Sequence, residues 1–308
     1  MAAPKISICM TTHEGERYIK QQIESILCQS LLPYEIIVCD DLSSDSTVNI
    51  LKSLKKESPV IHLYTNQKQI GVKKNFSKSI RLAKGDYVAL SDQDDFWLPF
   101  KLELCYKKML ELSLKYNPET PILIFSDLSI TDKNLKVIKK SMLNFNGANP
   151  NLTKFEDLML GNIVTGCTIF MNQALVKKVG DIPQDCHMHD FWIALVASVY
   201  GIIGFVNEPT ILYRQHDSNT LGTSVNNIVV RIFGFFNRKY LLKPFYNQIS
   251  IFYNLYFDDL PMETKKTINS FFKLYKSNYI QKKYYFLKYN FLRSKPPIRR
   301  FVWWLFAK

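Results

Sequence analysis

Paired cysteines are missing from this chain of 308 residues. The six that it has (Cys9, Cys28, Cys39, Cys105, Cys167 and Cys186) form no C-x-x-C or comparable spacing. That speaks against a disulfide framework or a zinc site and for free, buried thiols in a reducing compartment. No run of about 18 continuous apolar residues occurs, so no helix is expected to span a bilayer. The opening MAAPKISICMTT has no long apolar core behind a basic start, so no secretory signal is expected and a cytoplasmic location is. Internal repeats and low-complexity segments are absent too, and 47% hydrophobic content suits a folded chain with a sizeable core.

Acidic residues are nearly absent from one region. Residues 225–308 hold 16 Lys and Arg against 3 Asp and Glu, and 23 of the 42 aromatic residues, which leaves the first 224 residues balanced at 24 charges of each sign. Charge and aromatic content shift together, so a boundary is expected near residue 225 between a domain of residues 1–224 and a helical, basic, aromatic-rich region of residues 225–308. Its runs RIFGFFNRKYLLKPFY and KKYYFLKYNFLRSKPPIRRFVWWLFAK mix cations and aromatics over lengths too short to span, the composition of helices that lie in an anionic membrane interface. Trp303 and Trp304 are expected at headgroup level. The alternative is a helical appendage packed on the first domain.

Within the first half, strand-like and helical patterns alternate. KISICMTT reads as a strand, Ile19, Ile23, Ile26 and Leu27 as a helix face, and EIIVCDD as a second strand. SSDST caps a helix with Ile50, Leu51 and Leu54; VIHLYTN is a third strand; a turn at Gly71 leads to a helix with Phe76, Ile80 and Ala83; and DYVAL is a fourth strand. This order predicts an α/β fold with a mostly parallel central sheet, whose ligands bind beyond the carboxyl ends of its strands. Further on, PILIFSD reads as a strand, TKFE (153–156) as a capping box, IVTGCTIFMN as a strand with Gly166 leaving room for a ligand, residues 186–200 as a helix entered through His189 and Asp190, and IIGFV and TILYRQH as two late strands.

Three polar clusters fall at strand ends: TTHE, the pair Asp40 and Asp41, and SDQDD with Asp92, Asp94 and Asp95. As caps or turn residues for SSDST, Asp40 and Asp41 need no function. SDQDD is the stronger signal, because alternate acids on an extended segment offer hard oxygen ligands to Mg²⁺ or Mn²⁺. Crowded carboxylates otherwise raise one another's pKa. His216, beside Arg214 at a strand end, is a candidate further ligand, with His13, His62, His187 and His189 as competitors. Asp190 at a helix start is placed to stay anionic, as a general base must, or simply to cap the helix.

The blocks TTHEGERYIKQQIESILCQ, EIIVCDDLSSDST, GVKKNFSKSI, GDYVALSDQDDFW, VTGCTIFMN, MHDFWIALVAS and YRQHDSN, in this order over about residues 5–220, closely resemble the family 2 glycosyltransferases. DQDDFW, HDFW and YRQH are most similar to a bacterial rhamnosyltransferase-like branch that acts on surface polysaccharides such as O-antigen or capsule. The resemblance implies a GT-A type fold, a nucleotide-sugar donor (a dTDP- or UDP-sugar), a divalent metal (Mg²⁺ or Mn²⁺), inversion at the anomeric carbon, and a lipid-linked glycan acceptor met at the inner face of the cell membrane. By position it implies that Thr11, Glu14 and Asp40 line the nucleoside pocket, Asp92 lies near the ribose or donor sugar, Asp94 and His216 hold the metal, and Asp190 is the base. The family's usual Glu-Asp pair is here His189-Asp190. A phosphoacceptor receiver domain fits neither the length nor the layout, and a nucleic-acid-binding protein and a nucleotide-sugar-binding protein without turnover are the alternatives.

Overall fold

Both faces of the first strand, β1 (Ile6–Thr12), are buried: Ile6, Ile8 and Met10 contribute to one apolar cluster and Cys9 to another. Burial on both sides is what a parallel strand covered by two layers of helices requires. The structure, a computed structural model, describes residues 3–216, 242–289, 291, 300, 301 and 304. After β1 the expected alternation follows as α1 (Ile19–Leu27), β2 (Glu35–Asp40), α2 (Thr47–Glu57), β3 (Ile61–Thr65), α3 (Val72–Leu82) and β4 (Tyr87–Ser91). Next come β5 (Phe96–Trp97), α4 (Lys101–Ser113), β6 (Ile122–Thr131), β7 (Val137–Lys139), α5 (Met142–Asn146), α6 (Phe155–Leu158), β8 (Phe170–Asn172), α7 (Gln173–Val179), α8 (His189–Tyr200) and β9 (Ile202–Arg214). Three further helices are α9 (Lys243–Tyr256), α10 (Met262–Lys276) and α11 (Tyr279–Lys288).

The strands form one sheet in the order β3-β2-β1-β4-β8-β6-β9-β5, with β7 on β6. From β3 to β4 all neighbours are parallel; β8 then runs antiparallel to both β4 and β6, and β9 is parallel to β6. Because the chain builds outward from β1 to β3 and then returns to the other side of β1, the ends of β1 and β4 flank a switch point where a crevice opens.

Three local expectations give way. In IVTGCTIFMN only Phe170–Asn172 is strand, because the Thr165 carbonyl accepts from both the backbone N–H and the hydroxyl of Thr168 and closes a 3-10 turn over Gly166–Thr168. α6 opens on Lys154 without a side-chain cap, one residue past the Thr153 that a capping box needs. The two late strands are a single β9, whose register against β6 slips around Pro209, the kind of irregularity where a residue without an N–H is tolerated.

Helices α1, α2 and α4 cover one face of the sheet, while α3 and α6–α8 cover the other. The boundary expected near residue 225 lies outside the described residues, as does most of residues 293–308. Beyond it, Ile249, Phe252, Ile268 and Phe271 of α9 and α10 are fully buried in the same cluster as α8. Phe252 has its ring 5.7 Å from that of Trp192 and 5.6 Å from that of Phe155. No helix among the described residues is long and apolar enough to cross a membrane. Phe252→Ala is expected to cost about 3–5 kcal/mol and to lower one cooperative transition seen alike by Trp fluorescence and far-UV circular dichroism. A separate early transition that leaves Trp fluorescence unchanged would contradict this shared core.

Candidate active site

Register brings the three polar clusters together. Thr12 of β1 stands opposite Asp40 of β2, and Met10 opposite Ser91 of β4. The Asp40 carboxylate, fully buried, accepts from the Thr12 hydroxyl (2.8 Å), the Ser43 hydroxyl (2.6 Å) and the Ser43 backbone N–H (2.9 Å). Glu14, held at a left-handed φ of 50°, accepts from the Ser44 backbone (2.7 Å) and hydroxyl (2.9 Å). Gln93 makes a two-way amide pair with the His13 backbone, 2.9 Å in each direction. Thr11 is buried in β1 among these loops. Asp41 serves the scaffold, accepting from the Asn66 amide and from the backbone N–H groups of Ile70 and Gly71 just before α3.

Beyond β4 the acids crowd. Burial first, then Asp94 and Asp190, push the Asp92 carboxyl up to about 7. Burial, then Asp94 and Asp92, hold the Asp95 carboxyl well above the usual carboxylate range. Asp190, half-buried in the first turn of α8, is raised by burial to about 6, even though the backbone N–H groups of Phe191 and Gly166 and the side chain of Asn162 favour its anion. Its approach depends on Gly166: a Cβ there would sit 2.8 Å from His189 Nε2 and 3.6 Å from the Asp190 Cβ.

Asp94 and His216, 122 residues apart, meet with Oδ2 and Nε2 at 2.9 Å. Arg214, which spacing alone did not single out, fixes this corner. It is 3% exposed, and its guanidinium donates to the Asp94 carbonyl (2.8 Å), the Lys133 carbonyl (2.6 Å) and the Gln21 side chain (2.6 Å). It also lies 4.4 Å from the Tyr18 ring, which is itself 5.0 Å from the His216 ring. The other histidines sit elsewhere. His62 is near Glu35 at the sheet edge, His187 packs with Phe191 and Phe245, and His13 Nε2 faces the Gln69 amide. His189 is buried and stacked on Phe76 at 4.0 Å, and burial drops its pKa to about 3, so it is a neutral packing ring.

Two donor sets lie close enough to be considered for a cation. One is Asp94 with His216; the other is Asp92, Asp95 and Cys167, whose ligand atoms lie within 4.8 Å of one another. Cys167 is a poor ligand for a hard cation. Burial and the neighbouring Asp95 raise its thiol pKa, and it shares a hydrogen bond with Asp95. A carboxylate and an imidazole suit Mn²⁺ or Mg²⁺. In the other set the buried Asp95 Oδ2 has no hydrogen-bond partner. Behind it lies the fully buried Lys101, 3.8 Å over the Trp97 ring, whose pKa burial lowers while Cys105, Cys167 and Asp95 oppose that shift.

Residues 7–174 match the Glycosyl transferase family 2, and the chain belongs to that family. Over 231 residues, 70% of this chain and 75% of the relative, it is 28% identical to the dTDP-rhamnosyl transferase RfbG of Shigella flexneri. Over 213 residues, 68% and 79% of the two chains, it is 27% identical to the putative teichuronic acid biosynthesis glycosyltransferase TuaG of Bacillus subtilis (strain 168). Among solved structures, S. aureus TarS 1-349 in complex with UDP-GlcNAc superposes with a TM-score of 0.58 at 16% identity, over 95% of this chain and 82% of that one. The mannosyltransferase PcManGT from Pyrobaculum calidifontis, in complex with GDP-Man and Mn²⁺, gives 0.57 at 15% identity, over 91% and 72%. These likenesses show the GT-A fold that the resemblance implied.

The raised carboxyls make stability depend on pH with a definite sign. Asp92 and Asp190 bind protons more tightly in the folded chain than unfolded, so their destabilisation is absent below the ordinary carboxylate range near 4 and complete above about 7. Without metal or donor, the melting temperature is expected to rise as pH falls from 7.5 to 5.5. Asp92→Asn is expected to raise it at pH 7.5 by on the order of 2 °C. Scanning calorimetry checks both, and a loss of stability in Asp92→Asn would contradict the crowding.

Proposed function

We propose that the chain is a metal-dependent, inverting glycosyltransferase that moves a hexosyl or deoxyhexosyl group from a dTDP- or UDP-sugar to a hydroxyl of a lipid-linked surface glycan, at the inner face of a bacterial membrane. The observation that carries this reading is the 2.9 Å meeting of Asp94 and His216 just past the ends of β4 and β9, beside an Asp92 whose carboxyl is raised by burial, Asp94 and Asp190. The similarity to RfbG, named as a dTDP-rhamnosyl transferase, supports a thymidine nucleotide and a deoxyhexose.

In this reading Thr11, Glu14 and the loop built on Asp40 receive the nucleoside, and Asp92 faces the ribose or the donor sugar. Asp94 and His216 hold the divalent ion, whose chemistry is to neutralise charge on the departing diphosphate. Asp190 accepts the proton of the acceptor hydroxyl as that oxygen bonds to the anomeric carbon, while the bond to the diphosphate breaks on the opposite face. The raised pKa of Asp190 suits a base that must hold the proton until products leave, and it sets the acid limb of the rate. His189 positions Asp190 by packing, and exchanges no proton at neutral pH.

Asp190→Asn keeps the size and helix position of the side chain but cannot take a proton. Turnover is expected to fall by roughly 10²-fold or more, with donor affinity little changed. In the wild type, kcat/KM is expected to fall about tenfold per pH unit below about 6. Asp94→Asn is expected to abolish transfer and metal-dependent donor binding. A panel of nucleotide sugars with Mn²⁺, scored for binding and slow hydrolysis, checks all three, and full activity of either variant would overturn the corresponding role.

A further inference from the structure

α11 starts from a fixed point. Asn278 and Gln281 form a reciprocal capping box, so the helix is set before any partner arrives. One side of it is anchored, with Phe286 only 3% exposed in the core it shares with α9 and α10. On another side Ile280, Tyr284 and Leu287 are 78%, 57% and 70% exposed. Their spacing of four and three residues places them on one stripe about 60° wide. Lys283 and Lys288 lie on either side of that stripe, and no acidic residue occurs in α11. Lys283 reaches over the rings of Tyr279 (4.4 Å) and Trp304 (4.5 Å), and Phe301, 60% exposed, stacks near Trp304. Trp304 itself is half-buried, while Phe301 adds exposed apolar surface beside α11.

We propose that this stripe is a membrane-docking face, with Ile280, Tyr284 and Leu287 entering the headgroup layer of an anionic bilayer and Lys283 and Lys288 at its lipid phosphates. A helix of ten residues cannot span the bilayer. An apolar stripe with flanking cations is how a helix lies in the interface. Charge selects the partner: with 16 basic and 3 acidic residues in 225–308, a second copy of the same region would be repelled, whereas an anionic leaflet is attracted. Three side chains also cover too little area for a stable dimer. The proposal rests on the reading of a lipid-linked acceptor, which an enzyme held at the bilayer surface meets more often.

The test uses full-length protein sedimented with vesicles of phosphatidylcholine alone or mixed in equal parts with phosphatidylglycerol. Binding is expected only to the mixed vesicles and to weaken with salt. The double variant Ile280→Gln, Leu287→Gln is expected to lose about tenfold or more in vesicle partitioning, with circular dichroism and donor hydrolysis in the absence of acceptor unchanged. Lys288→Gln, which leaves the apolar residues in place, is expected to weaken binding to the mixed vesicles alone. Undiminished sedimentation of a folded double variant, equal binding to both vesicle types, or a dimer that the double variant dissolves would each overturn the proposal. So would capture of RNA in place of mixed vesicles. Absence of donor hydrolysis in every form would instead count against the glycosyltransferase reading and leave the sedimentation result standing.

Discussion

Mutual repulsion among Asp92, Asp94, Asp95 and Asp190 is the constraint on which the site depends. Two carboxylates about 5 Å apart repel by about 3 kcal/mol at the effective dielectric of a partly buried site, and burial adds to that in three of the four. A chain left to itself would separate them. Here they are held together by the surrounding backbone and packing: the parallel register of β1, β2 and β4, the 3-10 turn that brings Gly166 under α8, and the seating of His189 on Phe76. In the proposed reading, a cation and a diphosphate would recover the stability given up at the cluster, which would make the site a binding device before a catalytic one.

Arg214 and Lys101 show how the fold holds the cluster without cancelling it. The three guanidinium bonds described go to two carbonyls and a side-chain amide oxygen, tying the Asp94 segment to α1 and to the loop before β7. They fix where the Asp94 carboxylate starts while leaving its oxygens toward His216. Lys101 lies over the Trp97 ring without a hydrogen-bond partner at Nζ, and burial lowers its pKa while Asp95 acts in the opposite sense.

Much of this was legible in the sequence. Period-two and period-3.6 patterns marked the strands and helices from Ile6 to Ser91, and acids after buried strands marked the crevice, because both signals are local. His216 was one of five candidate histidines by residue type, and only the family resemblance joined it to Asp94, since 122 residues separate the two. Arg214 was hidden in YRQH, where nothing local tells a clamp from a surface charge. α4 was passed over although Leu102, Cys105, Met109 and Leu112 are buried at helical spacing, because charged residues interleave them. The 3-10 turn at Gly166 was read as strand because the Thr168 hydroxyl that closes it competes with the sheet in a way that β propensity does not register.

The central claim is that the acid cluster is a cation site whose protons leave when the metal binds. Isothermal titration of Mn²⁺ with nucleoside diphosphate into the wild type, in two buffers of different ionisation heat, measures that proton count directly. Release is predicted near pH 6.5, where Asp92 and Asp190 are partly protonated, fading by pH 8.5 and absent in Asp94→Asn for want of binding. Tight Mn²⁺ binding with no proton release at pH 6.5, or undiminished binding by Asp94→Asn, would contradict the account.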